Sequence, residues 1–230
     1  MSDGDPRADG VLDLLGLLAY AELVAFFRLA EDAAMAPSLA DKAELGRMAV
    51  AEFSHFERIR TELERLGTSA EAAMEPFRAP LDAFHVRTAP TDWLEGLVKA
   101  YVGDGFAADF YRAAAEVLDP GPRALVLDVL ADTGHAQFAV ERVRGAIQAD
   151  PRVAGRLALW ARRLVGEALS EAQRVAAERP ALAMLLVARR DGQQVGDEAA
   201  QASQLGEIVR MFARLTDAHA QRMDALGLAG

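Results

Sequence analysis

The chain has 230 residues, 52% of them hydrophobic and 26% charged, which excludes a largely disordered protein and gives ample length for a buried core. Cysteine is absent, so disulfide frameworks, sulfur-ligated zinc, iron–sulfur clusters and thiol catalysis are excluded, and a reducing cytoplasm is the expected compartment. A formal net charge of −10 argues against general nucleic-acid binding, although ten arginines face only four acids between Arg142 and Arg190.

Apolar residues recur at helical spacing and nowhere alternate as a half-buried strand requires, so the chain is expected to be all-α. The first predicted helix covers about 9–34; its most apolar stretch, Val11 to Ala30, carries Asp13, Glu22 and Arg28 and is expected neither to direct export nor to span a membrane. Pro37 and Ser38 precede the second, at about 38–66, with Ser38 as N-cap and Gly67 as its stop. Residues 67–90 hold Pro76, Pro80 and Pro90 and read as a long crossover. A third helix at about 91–118 starts from Thr91, and the Asp119-Pro120-Gly121-Pro122 turn leads to a fourth at about 122–148. Asp150-Pro151 and then Pro180 with the Asp191 to Gly196 stretch set off two more, at about 152–178 and 199–226. Short connections pair the first helix with the second and the third with the fourth as antiparallel hairpins. The expected division is a four-helix bundle over 1–150 and a C-terminal helical pair over 151–230 packed on it as one compact unit.

Three of the four histidines follow an acid by three residues: Glu52/His55, Asp82/His85 and Asp132/His135. On a helix that spacing puts a carboxylate and an imidazole on one face, where both can bind one metal centre. Asp82/His85 falls in the crossover and is set aside; His219 is expected to pack or face solvent. Leu45, Met48, Glu52, His55, Ile59 and Leu63 step by three or four, so the second helix carries its polar pair within its apolar stripe. Glu22 sits likewise between Leu18 and Leu29, Asp104 between Leu97 and Tyr111, and Asp132/His135 between Val129 and Ala139. Buried unpaired carboxylates cost several kcal/mol each, and a metal ion supplies the compensating charge. Glu167 and Glu171 lie near Arg163 and Arg174 and are expected to form helix-surface ion pairs.

Glu22 precedes Glu52 by 30 residues and Asp104 precedes Asp132 by 28, so each hairpin offers one carboxylate followed by an acid-x-x-His pair. The six residues Glu22, Glu52, His55, Asp104, Asp132 and His135, over about residues 9–148, resemble the ligand set of the ferritin-like di-iron carboxylate proteins. The fold that this implies is a ferritin-like four-helix bundle with its long crossover between the second and third helices, plus two additional C-terminal helices. Carboxylate and imidazole ligands without sulfur suit two iron ions, with manganese as the other choice. Two positions carry Asp where the bundle pattern has Glu, and Asp109 competes with Asp104 as the third-helix ligand. Tyr20, Tyr101 and Tyr111 are candidate neighbours of the metals.

The Ala-Asp-Thr-Gly-His135 motif and the extra C-terminal helices are similar to the hydroxylases of 2-methylthio-isopentenyl-adenosine in tRNA. That resemblance implies an oxygen-dependent hydroxylase, with Glu22, Glu52, Asp104 and Asp132 as its catalytic carboxylates. Its expected partners are dioxygen and an electron donor, with either a tRNA or a small hydrophobic molecule as substrate, no membrane, and a second copy of the chain in a homodimer. The alternatives are a ferroxidase and a metal-poor helical binding or assembly module; metal content separates the last from the others.

Overall fold

Asp5 accepts a hydrogen bond from the Arg7 amide and Pro6 takes the first helical position, so α1 (Pro6–Asp32) starts with both of its N-terminal signals satisfied. The computed structural model describes residues 5–131, 135–187 and 197–229, and among these there is no strand. A single 3₁₀ turn, Ala33–Met35, leads to α2 (Leu39–Arg65), which Ser38 caps through the Asp41 amide. α2 ends at Gly67 with φ 87° and a Thr68 N–H to Leu63 carbonyl bond of 3.1 Å, a glycine-terminated Schellman closure. α1 and α2 form the first antiparallel hairpin.

The crossover is itself helical, as α3 (Ala70–Arg87). Pro76 and Pro80 each delete a backbone bond, but Ala70, Met74 and Phe77 form a buried stripe, and packing that stripe outweighs the two losses. The third predicted helix is divided into α4 (Trp93–Lys99), a π-helical turn (Ala100–Asp104) and α5 (Gly105–Ala115). Its N-cap is Asp92 rather than Thr91; Thr91 is instead held by the Glu95 carboxylate, which accepts from its amide and hydroxyl. Of the fourth predicted helix the structure describes α6 (Pro120–Val129), whose C-cap is Leu130, and α7 (His135–Ala149); residues 132–134 lie outside the described residues. Beyond Pro151 come α8 (Val153–Glu178), the short α9 (Pro180–Val187) and α10 (Asp197–Leu226), so the segment after the bundle holds one more helix than its sequence pattern suggests.

Two apolar clusters fill the interior. One gathers Leu29, Leu45, Val98, Ala139, Leu164 and Leu215, so α8 and α10 share a core with the bundle helices. The other gathers Leu14, Leu18, Ile59, Phe77, Val126 and Leu182. Trp160 donates its indole N–H to the Glu95 carbonyl at 3.0 Å, pinning α8 to α4. By length and composition α1 is apolar enough to cross a membrane, yet Leu14, Leu15 and Leu18 on it are fully buried against other helices.

α1 and α3 approach backbone to backbone: a Cβ at Gly16 would stand 2.2 Å from the Ala73 carbonyl oxygen. Gly16→Ala is therefore expected to lower the free energy of unfolding by about 3 kcal/mol, because neither backbone can yield cheaply. Urea denaturation measures this, and a loss under about 0.5 kcal/mol would show that the helices do not meet there.

Candidate metal centre

A polar layer divides the two apolar clusters at mid-height. On α1 the last buried residue of the lower cluster is Ala19 and the first of the upper is Leu29, with Glu22 between; on α2 Met48 and Ala49 belong to one and Phe56 to the other, with Glu52 and His55 between. Glu22 and Glu52 are only 8% and 9% exposed. Their carboxylates and the His55 ring offer ligand atoms within 4.8 Å of one another. His55 Nδ1 lies 3.2 Å from Glu22 Oε2 and 3.6 Å from Glu52 Oε2, while the other oxygen of Glu52 lies 3.6 Å from His135 Nδ1. Glu52 thus stands between two histidines with one oxygen turned to each.

The protonation of this cluster follows from its burial. Burial, with the hydrogen bond and charge of Glu52 adding to it, pushes the Glu22 carboxyl well above the usual carboxylate range against the opposing pull of His55. Burial would raise Glu52 too, but hydrogen bonds with His135, His55 and Glu22 together outweigh it and hold Glu52 well below that range. His55 is raised to about 9 by its contacts with Glu22 and then Glu52. Among the described residues no arginine or lysine forms an ion pair with Glu22 or Glu52, so histidines and shared protons are what balance the two buried carboxylates.

Asp104 closes the π-helical turn and lines the same cavity as Glu22, Glu52, His55 and His135, whose volume is about 310 Å³. By accessible area Asp104 is exposed, and it is among the residues that line this cavity. Burial raises its carboxyl well above the ordinary value, the charge of Glu52 adds to this and Lys99 opposes it. π-Turns are frequent where a helix must re-aim a side chain at a site. Asp109 does not compete for this place: it is tied to Arg112 at 3.2 Å and to Arg222. Asp132 lies outside the described residues. Tyr101 and Tyr111 line the cavity, whereas Tyr20 donates to Asp82 at 2.6 Å on the far side of α1.

Arg222 of α10 also lines this cavity, packed so closely on the end of the π-turn that a Cβ on Gly105 would overlap its guanidinium. A contact across more than a hundred residues leaves no local trace in sequence; only the glycines flanking Asp104, Gly103 and Gly105, mark the place. Glu167 and Glu171 are bound by Arg87 of α3 at 2.7 and 2.6 Å, and Glu171 is 5% exposed. They are therefore an interhelical clamp between α3 and α8 rather than a surface pair, with Arg174 only 3.7 Å from Glu171 as a secondary partner. His219 does not line this cavity.

Carboxylates and imidazoles converging from α1, α2, the π-turn and α7, without sulfur and inside apolar walls, fit iron or manganese. Residues 6–189 match the family model described as the ferritin-like domain of actinomycetes. In structure the chain is similar to a Synechococcus protein with aldehyde deformylating oxidase activity, with a TM-score of 0.69 over 97% of this chain and 92% of that one. At 18% identity that likeness establishes the ferritin-like helical fold alone. No curated protein matches the sequence.

Proposed function

Since this chain belongs to the ferritin-like domain family of actinomycetes, we propose that it is an oxygen-dependent oxidoreductase, a hydroxylase, built around a pair of iron ions. Glu22, Glu52, His55, Asp104 and His135 would hold the metals, with Asp132 as the sixth ligand. The observation that carries this reading is the Glu52 carboxylate, buried, with one oxygen facing His55 and the other facing His135. That is the position of a ligand shared between two ions. The ions would supply the electrons that activate dioxygen for attack on a C–H bond, an external donor restoring them. The protein's own part would be to hold the carboxylates between two apolar clusters, to exclude water and to place a substrate in the adjoining cavity.

That cavity favours a small hydrophobic substrate over a modified tRNA. Its walls are largely alanine, leucine and phenylalanine. Several of the arginines that would have to meet RNA phosphates already have partners within the protein. Arg142 binds Asp41, Arg144 the Asp224 and Ala225 carbonyls, Arg156 binds Asp92 and Glu95, and Arg179 binds Asp13. Arg163 donates to the Arg87 carbonyl, and Arg189 and Arg190 lie outside the described residues.

Loading the reduced protein with ferrous iron and following oxygen uptake tests the reading. Two ions per chain and uptake accelerated by a small hydrophobic compound are expected. Uptake indifferent to any organic compound would make the protein a ferroxidase, acceleration by isopentenyl-bearing tRNA would restore the RNA reading, and absence of metal would leave a helical binding module.

A further inference from the structure

A second cavity, of about 230 Å³, adjoins the metal cavity and shares Ala21, Ala100, Asp104, Ala107 and Tyr111 with it. Most of its wall is apolar, with Leu17, Leu29, Phe106, Phe110 and Leu182 among the lining residues. One flank is not. There Arg28 and Asp32 of α1, His85 of α3 and Lys99 of α4 face the same space. Arg28 is six residues along α1 from Glu22, about 9 Å of helix rise, so this polar flank is separated from the Glu22–Glu52–His55 cluster by the apolar part of the cavity.

The polar flank is rich in hydrogen-bonding capacity. Arg28 Nε and His85 Nδ1 are buried and have no hydrogen-bond partner in the protein. Lys99 Nζ spends one N–H on the Thr88 carbonyl at 2.8 Å and has two more to give. Arg28 also reaches the exposed Glu31 with a different nitrogen, at 3.1 Å. Burial, and after it the charges of Lys99 and Arg28, lower the His85 imidazole to about 3. Glu171 and Asp32 line the same space: Glu171 gives one oxygen to Arg87 at 2.6 Å while its Oε1 is buried without a hydrogen-bond partner, and burial raises the Asp32 carboxyl against the opposing charges of Arg28 and Lys99.

We propose that this cavity binds an amphipathic monoanion, an alkyl carboxylate, with its head among Arg28, His85 and Lys99 and its hydrocarbon chain running toward Asp104. The charged head gains charge-assisted hydrogen bonds from Arg28 and Lys99, and the chain fills a space that water occupies poorly. The consequence for chemistry rests on the oxygenase reading above: the carbon presented to the metals is then in the chain, away from the carboxylate. The binding itself does not depend on that reading.

Isothermal titration of the full-length protein with dodecanoate, its methyl ester and dodecanol reads the head-group preference without any substitution. Dodecanoate is expected to bind at least about tenfold more tightly than the other two. Arg28→Gln should erase most of that preference while leaving ester and alcohol binding unchanged, and Arg28→Lys should restore part of it. In crystals soaked with ω-bromododecanoate the bromine is expected beside Asp104. Equal affinity for acid and ester, an Arg28→Gln variant that keeps the preference, or bromine beside His85 would each overturn the proposal. Carboxylate binding by a chain that takes up no metal would defeat only the oxygenase reading. Metal uptake and oxygen consumption without carboxylate binding would defeat only this one.

Discussion

If the chain binds two iron ions as proposed, Glu52→Ala is expected to reduce them to fewer than about 0.2 per chain after gel filtration, with helix content unchanged. Among the described residues Glu52 is the one carboxylate within 4 Å of both His55 and His135, so its loss removes the group that ties α2 to α7 across the cavity. The fold should survive because Leu45, Met48, Ile59 and Leu63 on the same stripe are untouched and Glu22 keeps His55 as a partner at 3.2 Å. Removing one partner of a buried charged cluster costs stability, so the variant is expected to melt at a lower temperature while keeping its helices. His85→Ala and His219→Ala should retain the full complement of metal, since neither residue lines the cavity of Glu22, Glu52 and His55. Metal analysis of the three variants checks this; unaltered stoichiometry in Glu52→Ala would mean that the ligands lie elsewhere.

Acid should weaken the protein through His85. Burial, reinforced by the charges of Lys99 and Arg28, lowers its pKa to about 3, well below the 6.5 of a solvated imidazole. The unfolded chain therefore takes up a proton below about pH 6.5 that the folded chain refuses until near pH 3, and stability falls as the pH drops through that window. Above it the residue has no effect on the slope. The wild type is expected to lose about 1.4 kcal/mol more per pH unit than His85→Leu between about pH 6 and about pH 4. Urea midpoints of the two proteins across that range measure the difference. Parallel curves would show that His85 titrates as a solvated group and that the polar flank of the cavity is open to water.

What sequence reveals here is what local periodicity encodes. Glu22, Glu52 and His55 interrupt apolar stripes at helical spacing, and α2, which bears the last two, starts and stops where Ser38 and Gly67 stand, so their convergence follows from hairpin geometry. Other features are set by longer-range forces. α3 is obscured because Pro76 and Pro80 read as breakers, although Phe77 beneath them is fully buried. The π-turn that presents Asp104 leaves only two glycines as a trace, and the apolar pattern of that segment suits an uninterrupted helix equally well. Glu171 and Asp109 find their arginines 84 and 113 residues away, on other helices, and no rule of spacing i to i+4 reaches that far. His85 belongs to a cavity wall for the same reason: its neighbours Arg28 and Lys99 come from α1 and α4.

Anomalous diffraction at the iron edge, from crystals grown anaerobically with ferrous iron, tests the central claim most directly. Two peaks are expected inside the cavity, one beside Glu22 and His55 and the other beside His135, with the Glu52 carboxylate between them. Iron found only on surface carboxylates, or no peak within reach of Glu52, would contradict the account.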